Sequence, residues 1–162
     1  MGRLLQTREE TLSIAESCTG GMLGSFLTNV PGASQYFLGG VIAYSNALKE
    51  SVLSVSKEIL SNHGAVSPET VCEMARGACA RFGSTWSIAV TGIAGPAGGS
   101  PDKPAGTVWI AVAHCTGRVY PLQIGMPGDR DTVRRRCVVT ALDQLRRLLS
   151  GLAPYESRAP HP

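Results

Sequence analysis

Apolar and polar residues alternate over Thr11-Leu12-Ser13-Ile14, a period of two that predicts a strand. Met22, Leu23, Phe26 and Leu27 then recur at helical spacing, and Asn29-Val30-Pro31-Gly32 stops that helix. Residues 37–43 form a second strand-like run containing Gly39-Gly40. It ends at Tyr44-Ser45-Asn46, where Ser45 is placed to cap a short helix through Leu53. Ser56 is placed to cap another, with Ile59 and Leu60 inside it. Ser67-Pro68 reads as a helix start, a hydroxyl cap followed by proline at the first helical position. Val71, Met74, Ala75, Ala78 and Phe82 share one face of that helix, and Gly83 ends it. Residues 86–90 predict a buried strand with a glycine-rich loop, 91–100, at its carboxyl end. Residues 107–113 and 119–124 predict an antiparallel pair about Thr116-Gly117. Asp129 is placed to cap a last helix whose buried stripe is Val133, Cys137, Ala141, Leu145 and Leu148.

Helices alternating with strands, then a hairpin, imply a three-layer α/β/α sandwich around a mixed, mostly parallel sheet. A chain of 162 residues suits one domain, expected over residues 1–152, with a polar, proline-rich tail over 153–162 expected to be disordered. In such sheets ligands bind beyond the carboxyl ends of the strands. The turn at Ser17, the turn at Tyr44 and the loop at Thr91 all sit at such ends, so one shared site is expected.

Composition narrows the function. The net charge is only +3 and the basic residues are spread along the chain, so no nucleic-acid partner is expected. No run reaches membrane-span length and the N-terminus carries no apolar stretch, so a cytoplasmic protein without membrane attachment is expected. The five cysteines (Cys18, Cys72, Cys79, Cys115 and Cys137) are odd in number and contain no CxxC pair, which argues against a disulfide framework. His63, His114 and His161 fall in no ligand spacing, so no metal is expected.

The chemistry concentrates in Ala15-Glu16-Ser17-Cys18-Thr19-Gly20-Gly21, a strand-to-helix turn with two hydroxyls, a thiol and two glycines. The first N–H groups of a helix lack backbone partners, and the helix dipole favours anions there. Ser17 is a candidate nucleophile, although taken alone it reads first as a helix cap. Cys18 is a second candidate nucleophile, or a small buried residue. The surroundings are not the G-x-S-x-G elbow. A serine nucleophile needs a base, and Lys49 serves if burial lowers its pKa; otherwise it is a solvated surface lysine. Tyr44 is a proton donor or orienting group, or a half-buried strand end. The loop from Gly92 to Ser100 is neither a Walker loop nor a G-x-G-x-x-G fingerprint; its amides either cradle a phosphate or form a plain turn. Arg130, Arg134, Arg135 and Arg136 at a helix N-terminus oppose the dipole, and either a ligand phosphate or Asp129 and Asp131 compensate.

Taken in order, Glu16 to Gly21, Gly39-Gly40-Val41 with Tyr44-Ser45-Asn46 and Lys49, Gly64-Ala65-Val66-Ser67, Val90 to Pro96, Gly106-Thr107-Val108-Trp109 and Gly128-Asp129-Arg130 resemble one family, over roughly Thr11 to Leu149. That family is the CinA C-terminal domain, or nicotinamide mononucleotide deamidase (PncC), family. The resemblance implies an amidohydrolase of pyridine nucleotide recycling, converting nicotinamide mononucleotide and water to nicotinate mononucleotide and ammonia. It implies no cofactor, a small-molecule nucleotide as partner, and a homo-oligomer, dimer or higher. By the same resemblance Ser17 is the nucleophile, Lys49 its base, Tyr44 a supporting residue and Thr91 an active-site hydroxyl. Cys18, Thr19, Gly20, Gly21, Gly39, Gly40, Gly92, Ala94 and Gly95 are expected to line the substrate and Arg130 to meet its phosphate, with Arg134 and Arg135 as alternatives. Two departures are a short segment before the first strand and the lack of the larger N-terminal domain of two-domain relatives, whose pyrophosphatase activity is not carried over. The competing reading is a non-catalytic nucleotide-binding or competence-related interaction module; the presence of both Ser17 and Lys49 favours the enzyme.

Overall fold

Five strands form one sheet with helices on both faces. The computed structural model describes residues 1–157. Along the chain run α1 (Gly2–Thr7), β1 (Leu12–Glu16), α2 (Met22–Thr28), a 3-10 turn (Ala33–Gln35), β2 (Phe37–Ile42), α3 (Asn46–Leu53), α4 (Lys57–His63) and α5 (Pro68–Phe82). β3 (Trp86–Gly92), β4 (Thr107–His114), β5 (Val119–Gly125) and α6 (Arg130–Leu149) follow. The strand order is β2-β1-β3-β4-β5. β1 lies parallel to β2 and β3, while β4 runs antiparallel to β3 and β5. Only β4 therefore opposes the common direction, which is the mixed, mostly parallel sheet expected.

At the fully buried positions the two faces of the sheet differ in side-chain size. Leu12, Ile14, Ile88, Val90, Val108, Ile110 and Val112 pack against α1, α2 and α6. Their neighbours Ala15, Ala89, Ala111 and Ala113 face α3, α4 and α5. Strand alternation puts large residues on one side and small ones on the other. The small side lets α5 approach the sheet, where Ser87 Oγ donates to Ala75 O at 2.6 Å. α3 comes just as close to α5, because a Cβ on Gly77 would lie 1.9 Å from Leu53 O. This contact fixes the helix that carries Lys49.

The capping residues act as expected: Ser45, Ser56, Ser67 and Asp129 accept from Leu48, Glu58, Thr70 and Thr132 N–H. α2 is different. Its N-cap is Gly21, which has no side chain to cap with, so Ser17 is not the helix cap. The buried stripe of α6 includes Val138, Gln144 and Leu149, and Leu148 is only partly buried. Helix α1, which the sequence pattern did not indicate, buries Leu5. Of the tail expected to be disordered, residues 158–162 lie outside the described residues. Residues 153–157 are tied to the domain: Arg147 Nε donates to Ala153 O, Tyr155 N to Gln144 Oε1, and Gln123 N to Ser157 Oγ. Among the described residues no helix is long and apolar enough to cross a membrane.

Candidate active site

Three neighbouring strands release the chain at one end of the sheet. Ser17 N donates to Val90 O at 3.0 Å and Ala43 N to Glu16 O at 2.8 Å, so the exits of β1, β2 and β3 are stitched together. The chain then turns tightly, with Gly20 N donating to Ser17 O. Gly20 (φ 56°) and Gly21 (φ 93°) occupy the left-handed region, which other residues enter only with strain.

The start of α2 does not point open donors at a ligand. The Glu16 side chain, 1% exposed, folds back onto it: Oε2 accepts from Gly21 N and Leu23 N at 3.0 Å, and Oε1 from Gly24 N at 2.9 Å. The expected anion site at this helix is already filled by the chain's own carboxylate. Among the described residues the N–H groups of Cys18 and Thr19 find no hydrogen-bond acceptor on another residue.

Lys49, in the first turn of α3, is 1% exposed. Its Nζ lies 3.4 Å from Ser17 Oγ and donates to Ala43 O at 2.9 Å and Tyr44 O at 3.4 Å. No carboxylate pairs with it among the described residues. Burial lowers its pKa, and the nearby Cys18 thiol pulls weakly the other way. The solvated-lysine alternative is therefore overturned: this is a desolvated amine beside a hydroxyl.

The remaining expected residues divide. Ser17 faces Lys49, whereas the Cys18 side chain belongs to the large-residue core beneath α6. There it meets the Cys137 thiol, which lowers the Cys18 pKa and is itself pushed well above the usual thiol value. Tyr44 is 60% exposed at the rim, and its hydroxyl accepts from Arg130 Nη2 at 3.1 Å. Arg130 Nη1 donates to Gly95 O at 3.2 Å, so Arg130 bridges the Tyr44 turn and the glycine-rich loop. Arg134 instead donates to Thr19 O at 2.7 Å, bracing the Ser17 turn from α6. Arg135 pairs with Asp131, and Arg136 donates to Pro127 O, so the acidic-neighbour explanation holds for Arg135. The Thr91 hydroxyl donates to Ala65 O at 2.7 Å and tethers the loop before α5.

Several glycines have packing reasons of their own. A Cβ on Gly40 would lie 2.2 Å from Ile14 Cγ1, and one on Gly92 2.8 Å from Thr107 O. Gly39, in the middle of β2, has φ 131°. The Ala94 methyl is buried in the core. A groove of about 880 Å³ lies elsewhere, between β5, α6 and Tyr155, and none of Ser17, Lys49, Tyr44 or Arg130 lines it. Sequence reasoning missed the roles of Glu16 and Arg134 as braces of the turn. The available signal was a carboxylate at a strand end just before a Gly-Gly turn.

The family model of the CinA C-terminal domain matches residues 1–149. The chain belongs to that family. This CinA domain is 48% identical over 152 residues to a CinA-like protein of Thermotoga maritima, an alignment covering 92% of the chain and 36% of the relative. It is 54% identical over 147 residues to one from Prochlorococcus marinus, covering 90% of the chain and 34% of the relative. The CinA domain thus spans about a third of the length of these curated relatives. Among solved structures it is similar to the competence damage-inducible protein A of Klebsiella pneumoniae, with TM-score 0.88, 39% identity and 91% coverage of each chain. A competence-damaged protein (CinA) superfamily protein from Escherichia coli gives TM-score 0.86 and 39% identity, covering 90% of this chain and 84% of that one.

Proposed function

We propose that this CinA domain is an amidohydrolase that deamidates nicotinamide mononucleotide to nicotinate mononucleotide and ammonia, within pyridine nucleotide recycling in the cytoplasm. The observation that carries the reading is Lys49: a buried amine with no acidic partner and a lowered pKa, 3.4 Å from the Ser17 hydroxyl. Burying a lysine without a counter-charge is unfavourable, and a non-catalytic module gains nothing from it.

An amide is a weak electrophile with a poor leaving group, and covalent catalysis divides the task into two easier steps. Neutral Lys49 takes the Ser17 proton as Oγ attacks the carboxamide carbon. The Cys18 and Thr19 N–H groups meet the oxyanion. The tetrahedral species collapses as the Lys49 ammonium returns its proton to the departing ammonia, leaving an acyl-Ser17 ester. Lys49 then deprotonates a water, which attacks the ester, and Ser17 regains its proton as the acid leaves. The carbonyls of Ala43 and Tyr44 hold the amine in place throughout. At the rim, Arg130 with Tyr44 and the Gly95 loop is the reading's phosphate subsite, since a guanidinium matches phosphate geometry. We also propose a homo-oligomer.

The test is ammonia release from nicotinamide mononucleotide by the purified chain in the presence of a chelator. Ser17→Ala is expected to reduce turnover by roughly 10⁴-fold or more and Cys18→Ala far less. Release by the unaltered chain no faster than by Ser17→Ala would refute the reading.

A further inference from the structure

We propose that Glu16 is a positioning residue for the nucleophile: by occupying the N-terminal amides of α2 it fixes the 17–21 turn and aims the Cys18 and Thr19 N–H groups at the reacting centre. The inference rests on Ser17 being the nucleophile, as the deamidase reading has it, but not on the identity of the substrate. A helix N-terminus leaves its first N–H groups without backbone partners and carries about half a positive charge. Here a carboxylate from the preceding strand satisfies three of them at 2.9–3.0 Å. The turn is consequently held from both sides. Its entry is pinned by Ser17 N donating to Val90 O, and its exit by Gly21, Leu23 and Gly24 donating to Glu16. Arg134, on Thr19 O, braces the middle.

Two consequences follow from this arrangement. The positive end of α2 is neutralised, so a ligand anion gains nothing there and is left to the Arg130 rim. The exit of the turn is also held by three bonds to a single carboxylate, so a change at Glu16 loosens that side of it. Gln at position 16 keeps the volume but presents one oxygen; its NH₂ group then faces a backbone N–H, so at least one of the three bonds is lost. Asp keeps the charge but is one methylene too short to reach all three donors.

A displacement of about 1 Å at a reacting group costs on the order of 100-fold in rate. The experiment compares the unaltered chain with Glu16→Gln and Glu16→Asp. It measures Ser17 labelling by a fluorophosphonate (intact mass), amide hydrogen exchange by peptide, and kcat and KM for ammonia release. Both variants are expected to label roughly 10–100-fold more slowly, with faster exchange in peptides covering 17–24 and unchanged exchange in α5. Where ammonia is released, kcat falls by the same factor and KM stays within about twofold, because the rim residues are untouched. Labelling within about twofold of the unaltered chain in either variant overturns the proposal. Unchanged exchange over 17–24 overturns it as well, and so does faster exchange throughout the chain, which marks a general structural role. Failure of the unaltered chain to label overturns it too. Normal labelling without ammonia release refutes the deamidase reading and leaves this one standing.

Discussion

Replacing Lys49 by Met tests the mechanism and the energetics of its burial together. Met keeps the long unbranched stem but removes the amine, so the pocket stays filled. On the catalytic side the base is lost outright. General-base catalysis contributes about 10²–10⁴-fold, and nucleophile and base acting as a unit can raise the loss to about 10⁶-fold. Two opposing effects act on stability. The Ala43 and Tyr44 carbonyls lose a donor, which costs about 1–3 kcal/mol if neither is resatisfied. Against this, the folded state no longer has to desolvate an ammonium. The two act in opposite directions, so the stability change at neutral pH is expected to be smaller than the lost hydrogen bonds alone would give.

The pH dependence separates them. Burial lowers the Lys49 pKa in the folded state below its ordinary 10.5. Between the lowered value and 10.5 the unfolded chain binds more protons than the folded one, so this lysine makes stability rise with pH across that window. Below the lowered value the full penalty applies, and above 10.5 it vanishes. Each pH unit of separation is worth about 1.4 kcal/mol. Urea unfolding at a series of pH values, run beside ammonia release, is the assay. Lys49→Met should lose this rise and be inactive. A variant that keeps activity within about tenfold, or keeps the same alkaline rise in stability, would refute the reasoning.

For the unaltered enzyme, kcat/KM should rise with pH to a plateau with a midpoint below 10.5, because Lys49 must be neutral to act as base; a flat profile would count against that role. Arg130→Ala should raise KM for the nucleotide roughly 10-fold or more with a smaller change in kcat, whereas Arg135→Ala, which breaks only an exposed pair with Asp131, should change neither. Equal losses on nicotinamide riboside, which lacks the phosphate, would instead mark Arg130 as structural. Gly77→Ala should destabilise the fold by about 1–3 kcal/mol, because its Cβ would collide with Leu53 O; unchanged urea unfolding would contradict the close α3–α5 packing.

Much of the architecture was legible in the chain. Short apolar runs, alternating in the first, marked the strands, Ser45, Ser56, Ser67 and Asp129 marked the helix starts, and turn chemistry marked the hairpin, because these signals act over a few neighbouring residues. The ordered motif blocks pointed to the family. Other features depended on contacts between residues far apart in sequence. Local pattern made Lys49 an ordinary helix-surface lysine; only the tertiary structure buries it, with Nζ against Ala43 O and beside Ser17. The Ser17 turn looked like a helix start open to anions until Glu16 folded back into it, which depends on where β1 ends relative to α2. Gly40 and Gly92 suggested ligand contact, and the tertiary structure adds a packing reason for each that the sequence did not show. Four arginines in one short stretch were indistinguishable by sequence, and the tertiary structure sent Arg130 to the rim, Arg134 to the turn and Arg135 to its neighbouring aspartate. Local propensity and periodicity determined the elements and their order. Burial, which sets pKa, and long-range hydrogen bonds, which set the aim of each side chain, were decided only when the elements packed.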